Sequence, residues 1–126
     1  MRAIDTNVLV RMLVRDDAVQ AAAADACVAK GAWISHVVLA EATWVFGSLY
    51  SFSGSKIAEA VDLILRHKDL TIQDEDVVTR SLVYFRAHRK VEFADCLVLA
   101  IAEKAGHTPL GTFDRNLAKL EGAQRL

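Results

Sequence analysis

Short apolar segments alternate along this chain with longer stretches of helical pattern. Met1 to Ile4, Ala32 to Ser35, Leu70 to Ile72 and Pro109 to Thr112 are each brief and bounded by polar or turn-forming residues. Strands of that kind, separated by helices, suit a parallel sheet covered on both faces. The predicted class is therefore α/β: a helix-rich, three-layer α/β/α sandwich around a short parallel sheet, with the opening strand placed centrally. Helices are predicted over Asn7 to Val14, Ala18 to Lys30, from His36 through Phe46, Lys56 to His67, from the acidic run at Asp74 through Phe85, and from about Ala94 to Ala105. Gly31 and Gly106 stand where C-cap glycines belong. A short helix near Asn116 to Leu120 and an edge strand over Ala123 to Leu126 complete the pattern.

The 126 residues are enough for one domain, 1–126, with a single core. The longest apolar-rich run, Val37 to Phe46, is too short to span a bilayer and contains Glu41, so no membrane segment is expected. No basic stretch followed by an apolar one precedes the first strand, and a cytoplasmic location is the expectation. Cys27 and Cys96 lack the spacing of a zinc site or a disulfide framework and read as reduced core residues. A net charge of −1 excludes a polycation that attracts nucleic acid by its overall field. Any such contact must be local. The candidates are Arg86, Arg89 and Lys90, clustered with His88, and the pair Arg11 and Arg15 on the first helix.

Carboxylates mark the places where chemistry is expected. Asp5, in Asp-Thr-Asn, stops the first strand, and Asp114 follows the fourth. In an open α/β sheet the carboxyl ends of the strands line the ligand crevice. Asp95 falls in the first turn of a helix, and Glu41 lies in a helix whose residues are apolar on all sides. Each aspartate can equally serve as a helix cap or complement a helix dipole. Glu41 has no cation three or four residues away, and an unpartnered buried carboxylate costs several kcal/mol unless it is protonated, paired or metal-bound. If the two strand ends share an edge, the four carboxylates gather and repel one another unless a hard cation such as Mg²⁺ or Mn²⁺ sits among them. An ion held in that way serves phosphodiester hydrolysis.

Ala-Ile-Asp5-Thr-Asn7-Val-Leu-Val, Glu41 within Val-Leu-Ala-Glu-Ala, Phe93-Ala-Asp95-Cys and Gly-Thr112-Phe-Asp114 together resemble the PIN-domain nucleases, and among those the VapC-like toxin ribonucleases. The likeness runs from the first residue to the last. It implies a Mg²⁺- or Mn²⁺-dependent endoribonuclease, with Asp5, Glu41, Asp95 and Asp114 as the acidic, metal-holding pocket and Thr112 as a polar accessory. It also implies a toxin that acts on RNA, a homodimer, and an antitoxin protein that inserts a segment into the pocket. The family often carries Asn or Ser at the position of Phe113. Tyr50, Phe52, Ile57 and Val61 are the expected apolar surface for the dimer. A phosphoacceptor receiver domain fits poorly, because no acidic pair follows the first strand and no lysine follows Thr112 before Lys119. The remaining alternative is a non-catalytic RNA-binding or scaffold module of the same fold.

Overall fold

Arg2–Ala3 forms β1, and the chain leaves this strand at Asp5, whose Oδ1 accepts from the Val8 amide at 3.1 Å and caps α1 (Thr6–Val14). A side-chain oxygen there satisfies one of the amides that a helix start leaves without partners. Arg15 closes α1 in the left-handed conformation, and Asp17 caps α2 (Ala18–Val28) by accepting from the Gln20 amide at 3.0 Å. These elements belong to the first of two compact units, Met1–Glu75 and Asp76–Leu126, in a computed structural model that describes residues 1–126.

The first unit continues through β2 (Ala32–Ile34), α3 (His36–Ser48), α4 (Gly54–Arg66) and β3 (Leu70–Ile72). Its three strands are parallel in the order β1-β2-β3, with Ala32 opposite both Arg2 and Leu70. Within this sheet β2 is the middle strand and β1 an edge, where the sequence suggested a central β1. Ser35 and Ser53 cap α3 and α4 by accepting from amides three residues on. Helix α1 packs on α2 and α3, and α3 on α4, which brings Leu9, Leu39, Phe46, Val61 and Ile64 out of water. Phe46 stacks on Phe52 at 5.1 Å between ring centroids.

Helix α3 departs from its sequence reading. Its buried stripe is His36, Leu39, Ala42, Thr43 and Phe46, at helical spacing, so one face meets the core. The opposite face carries Val37 at 66% exposure, Trp44 at 61% and Glu41, also exposed. Residue type alone hid this, because both faces are rich in apolar side chains. Glu41 is therefore not a buried carboxylate in need of neutralisation. The expected apolar surface around Tyr50, Phe52, Ile57 and Val61 is corrected too: Val61 is fully buried, and the other three are partly covered.

The second unit holds most of α5 (Glu75–Ala87), then α6 (Phe93–Ala105), β4 (Leu110–Thr112), a 3₁₀ turn (Leu117–Lys119) and β5 (Ala123–Arg125). β4 and β5 run parallel, and Leu126 lies about 3.4 Å from where a Cβ on Gly111 would stand, so the missing side chain leaves room for that leucine. The Tyr84 hydroxyl donates to Glu103 Oε1 at 2.6 Å, and Arg80 reaches both Glu103 oxygens, which ties α5 to α6. Phe85 meets Phe93 edge-on at 5.6 Å. Gly106 ends α6 with φ 81°, a conformation that a β-carbon disfavours. Six helices with short parallel strands make the chain a helix-rich α/β protein, as its alternating pattern predicted.

Candidate active site

In the first unit, the Thr6 hydroxyl donates to Glu41 Oε2 at 3.0 Å. This bond joins the first turn of α1 to the middle of α3, and it fixes Glu41 beside the residue that follows Asp5. Asp5 and Glu41 each commit one oxygen to a protein donor, and no protein hydrogen bond occupies the other. Capping and function are thus compatible for Asp5. A pocket of about 400 Å³ opens against it, lined among others by Arg2, Asp5, Asn7, Val8, Arg11 and Gln20. Sequence reasoning missed Thr6 and Arg2. Their signal was adjacency to Asp5, since a residue at a helix start or strand end shares the edge that the carboxylate occupies.

In the second unit, Asp95 lies in the first turn of α6, half-buried, after a start at Glu92 that makes no side-chain cap. Burial pushes its carboxyl above the usual carboxylate range, and the charges of Glu92 and Asp114 add to the effect. Asp114 Oδ1 accepts from the amides of Asn116 at 2.7 Å and Leu117 at 2.9 Å, while the Asp114 amide donates to Thr112 Oγ1 at 3.0 Å. Thr112 therefore orients the loop that carries Asp114. Glu92 is a further acidic neighbour that the sequence reading did not single out, although it stands only three residues before Asp95. The thiol of Cys96 is pushed up to about 12 by burial and by Asp95, which makes it an inert core group.

The expected guiding cations divide into two kinds. Arg86 ends α5, with Arg89 and Lys90 in the turn beyond it, and all three are exposed and make no ion pair. Arg11 donates from Nε to Gln20 at 2.6 Å and from one terminal nitrogen to Asp16 and Tyr50, each at 3.0 Å. Arg15 places its terminal nitrogens on the two oxygens of Asp25 at 3.0 and 2.8 Å. Exposed pairs of this sort are screened by water and contribute little to stability. They nonetheless occupy the guanidinium of Arg15, whereas Arg11 still lines the pocket at Asp5.

The geometry of strand ends, capped helix starts and outward carboxylates can be set beside known proteins. The family model described as PIN domain matches residues 3–123. The chain belongs to the PIN domain family. That membership supports a nuclease, RNA-related function, and nucleases of this family usually use a divalent metal ion. No curated protein and no solved structure matches the chain.

The donors offered by this PIN domain are hard carboxylate oxygens, the kind that Mg²⁺ and Mn²⁺ prefer. No group of three or more His, Cys, Asp or Glu side chains stands close enough to hold a metal ion. What the structure shows is Glu41 held by Thr6, and Asp95 in the field of Glu92 and Asp114. Like charges without a cation between them favour separation. A small set still fits Mg²⁺, which is commonly bound by one or two carboxylates, with water and substrate phosphate oxygens completing its shell.

Proposed function

We propose that this PIN domain, taken as one functional domain over residues 1–126, is a Mg²⁺- or Mn²⁺-dependent endoribonuclease, the toxin of a toxin–antitoxin pair, acting in the cytoplasm. The observation that carries this reading is the Thr6–Glu41 bond at 3.0 Å, which directs an exposed carboxylate toward the Asp5 turn. Asp5 with Glu41 in the first unit, and Asp95 with Asp114 in the second, are the carboxylates proposed as metal ligands. The ion, when bound, supplies positive charge beside the scissile phosphate and acidifies water. Thr6 positions Glu41, and Thr112 positions the Asp114 loop. Asp95, with its raised carboxyl, takes up a proton more readily than an ordinary aspartate. The test is cleavage of single-stranded RNA in Mn²⁺ and in chelator. Metal-dependent cutting supports the reading, and intact RNA at every metal concentration overturns it in favour of a non-catalytic RNA-binding module.

RNA must approach a site of negative charge, and the exposed Arg86, Arg89 and Lys90 are the proposed guides, with Arg11 serving the pocket at Asp5. Reversing Arg86 and Arg89 to Glu is expected to weaken RNA binding and to lower the salt slope by about 0.7 for each phosphate of the single strand no longer neutralised. Filter binding across a salt series measures both quantities. An unchanged slope would reduce the cluster to a solvated helix end.

The toxin reading also includes a homodimer and an antitoxin that enters the acidic pocket. Val37 and Trp44 on α3 and Leu63 on α4 are exposed apolar side chains available to a second copy. Light scattering at micromolar concentration should give twice the chain mass of 13.8 kDa. A single-chain mass would refute the dimer.

A further inference from the structure

Phe113 lies directly between Thr112 and Asp114 and is 79% exposed, although a phenyl ring gains most from burial. Its backbone is held on both sides. The Asp114 amide donates to Thr112 Oγ1 at 3.0 Å, and Asp114 Oδ1 accepts from the amides of Asn116 and Leu117. The ring is thus presented to solvent from a fixed loop. Its neighbours along the chain are the polar Thr112, Asp114, Arg115 and Asn116, and the amide of the exposed Leu126 donates to the Thr112 carbonyl at 2.9 Å. An exposed, flat aromatic next to a carboxylate proposed for phosphodiester chemistry, and followed by the exposed cation Arg115, matches one ligand well: an unstacked nucleobase whose phosphate lies beside it.

We propose that Phe113 is a stacking platform for a base of single-stranded RNA next to the cleaved bond, a substrate-binding residue that rests on the ribonuclease reading above. The platform carries little sequence preference, because every base has a stacking face. It favours single strands over duplexes, whose bases are already stacked.

The test is steady-state cleavage of a short single-stranded RNA in Mn²⁺ by wild type, Phe113→Ala and Phe113→Trp, with melting curves for all three. The same RNA is also prepared with one abasic nucleotide at each position around the cut. Phe113→Ala should raise KM roughly five- to 150-fold, the factor that corresponds to losing one base–aromatic stack. Phe113→Trp should stay near wild type, and all three proteins should melt alike. One abasic position should cost wild type a similar factor while costing Phe113→Ala nothing further. Equal KM values for wild type and Phe113→Ala, or an abasic penalty identical in both, overturn the platform while leaving the nuclease intact. Absence of cleavage by wild type overturns the ribonuclease reading and the platform with it.

Discussion

Asp95→Asn is expected to lower RNA cleavage in Mn²⁺ by roughly a hundredfold or more, while the metal-free variant melts no lower than wild type. The first effect follows from the several kcal/mol of charge stabilisation that a catalytic ion supplies, each 1.36 kcal/mol being about tenfold in rate. The second follows from the environment of Asp95. Burial is the largest cause of its raised carboxyl, with Glu92 and Asp114 next, so the folded state disfavours the charge. A group raised in this way contributes stability that is fully present below the unfolded carboxylate value and is lost as pH rises through the folded value. In chelator, wild type should therefore gain stability on acidification through the window just above the ordinary carboxylate range, and the Asn variant should show less of that gain. If Asp95 served only the dipole of α6, its replacement would cost about 0.3–1 kcal/mol and leave cleavage intact. Near-normal cutting by Asp95→Asn would sink the proposed mechanism.

Phe46→Ala should cost about 3–5 kcal/mol, against a total stability of about 5–15 kcal/mol for a protein of ordinary stability. The ring is fully buried and stacked on Phe52, so truncation loses both transfer energy and packing. Trp44→Ala, two residues earlier on the same helix, should change stability by no more than about 0.5 kcal/mol at concentrations too low for dimerisation, because the larger ring is mostly in water. Urea denaturation of the two variants measures the difference. Equal losses would mean that the outer face of α3 is covered in solution.

Local rules carried much of this protein into view. The alternation of short apolar strands with helices pointed to the α/β class, since each element announces its own period, caps and stops. Asp17, Ser35, Gly31 and Gly106 mark boundaries close to those observed, because capping is decided within a few residues. The acidic positions were legible in the same way. Asp5 and Asp114 follow strands, and Asp95 opens a helix, whatever the rest of the chain does.

Relations between distant segments were beyond the sequence. Glu41 looked buried because its neighbours are apolar, yet burial depends on which side of α3 meets the core, and only packing against α1 and α4 settles that. Its bond to Thr6 spans thirty-five positions and had no local signal. The commitment of Arg15 to Asp25, the middle position of β2 and the burial of Val61 likewise depend on which surfaces meet. Residue order was enough for the elements, their ends and the side chains available for chemistry, because these follow from short-range sterics and hydrogen bonding. Exposure, partners and charge environment came only with the folded arrangement, because they are properties of surfaces brought together from far apart in the chain.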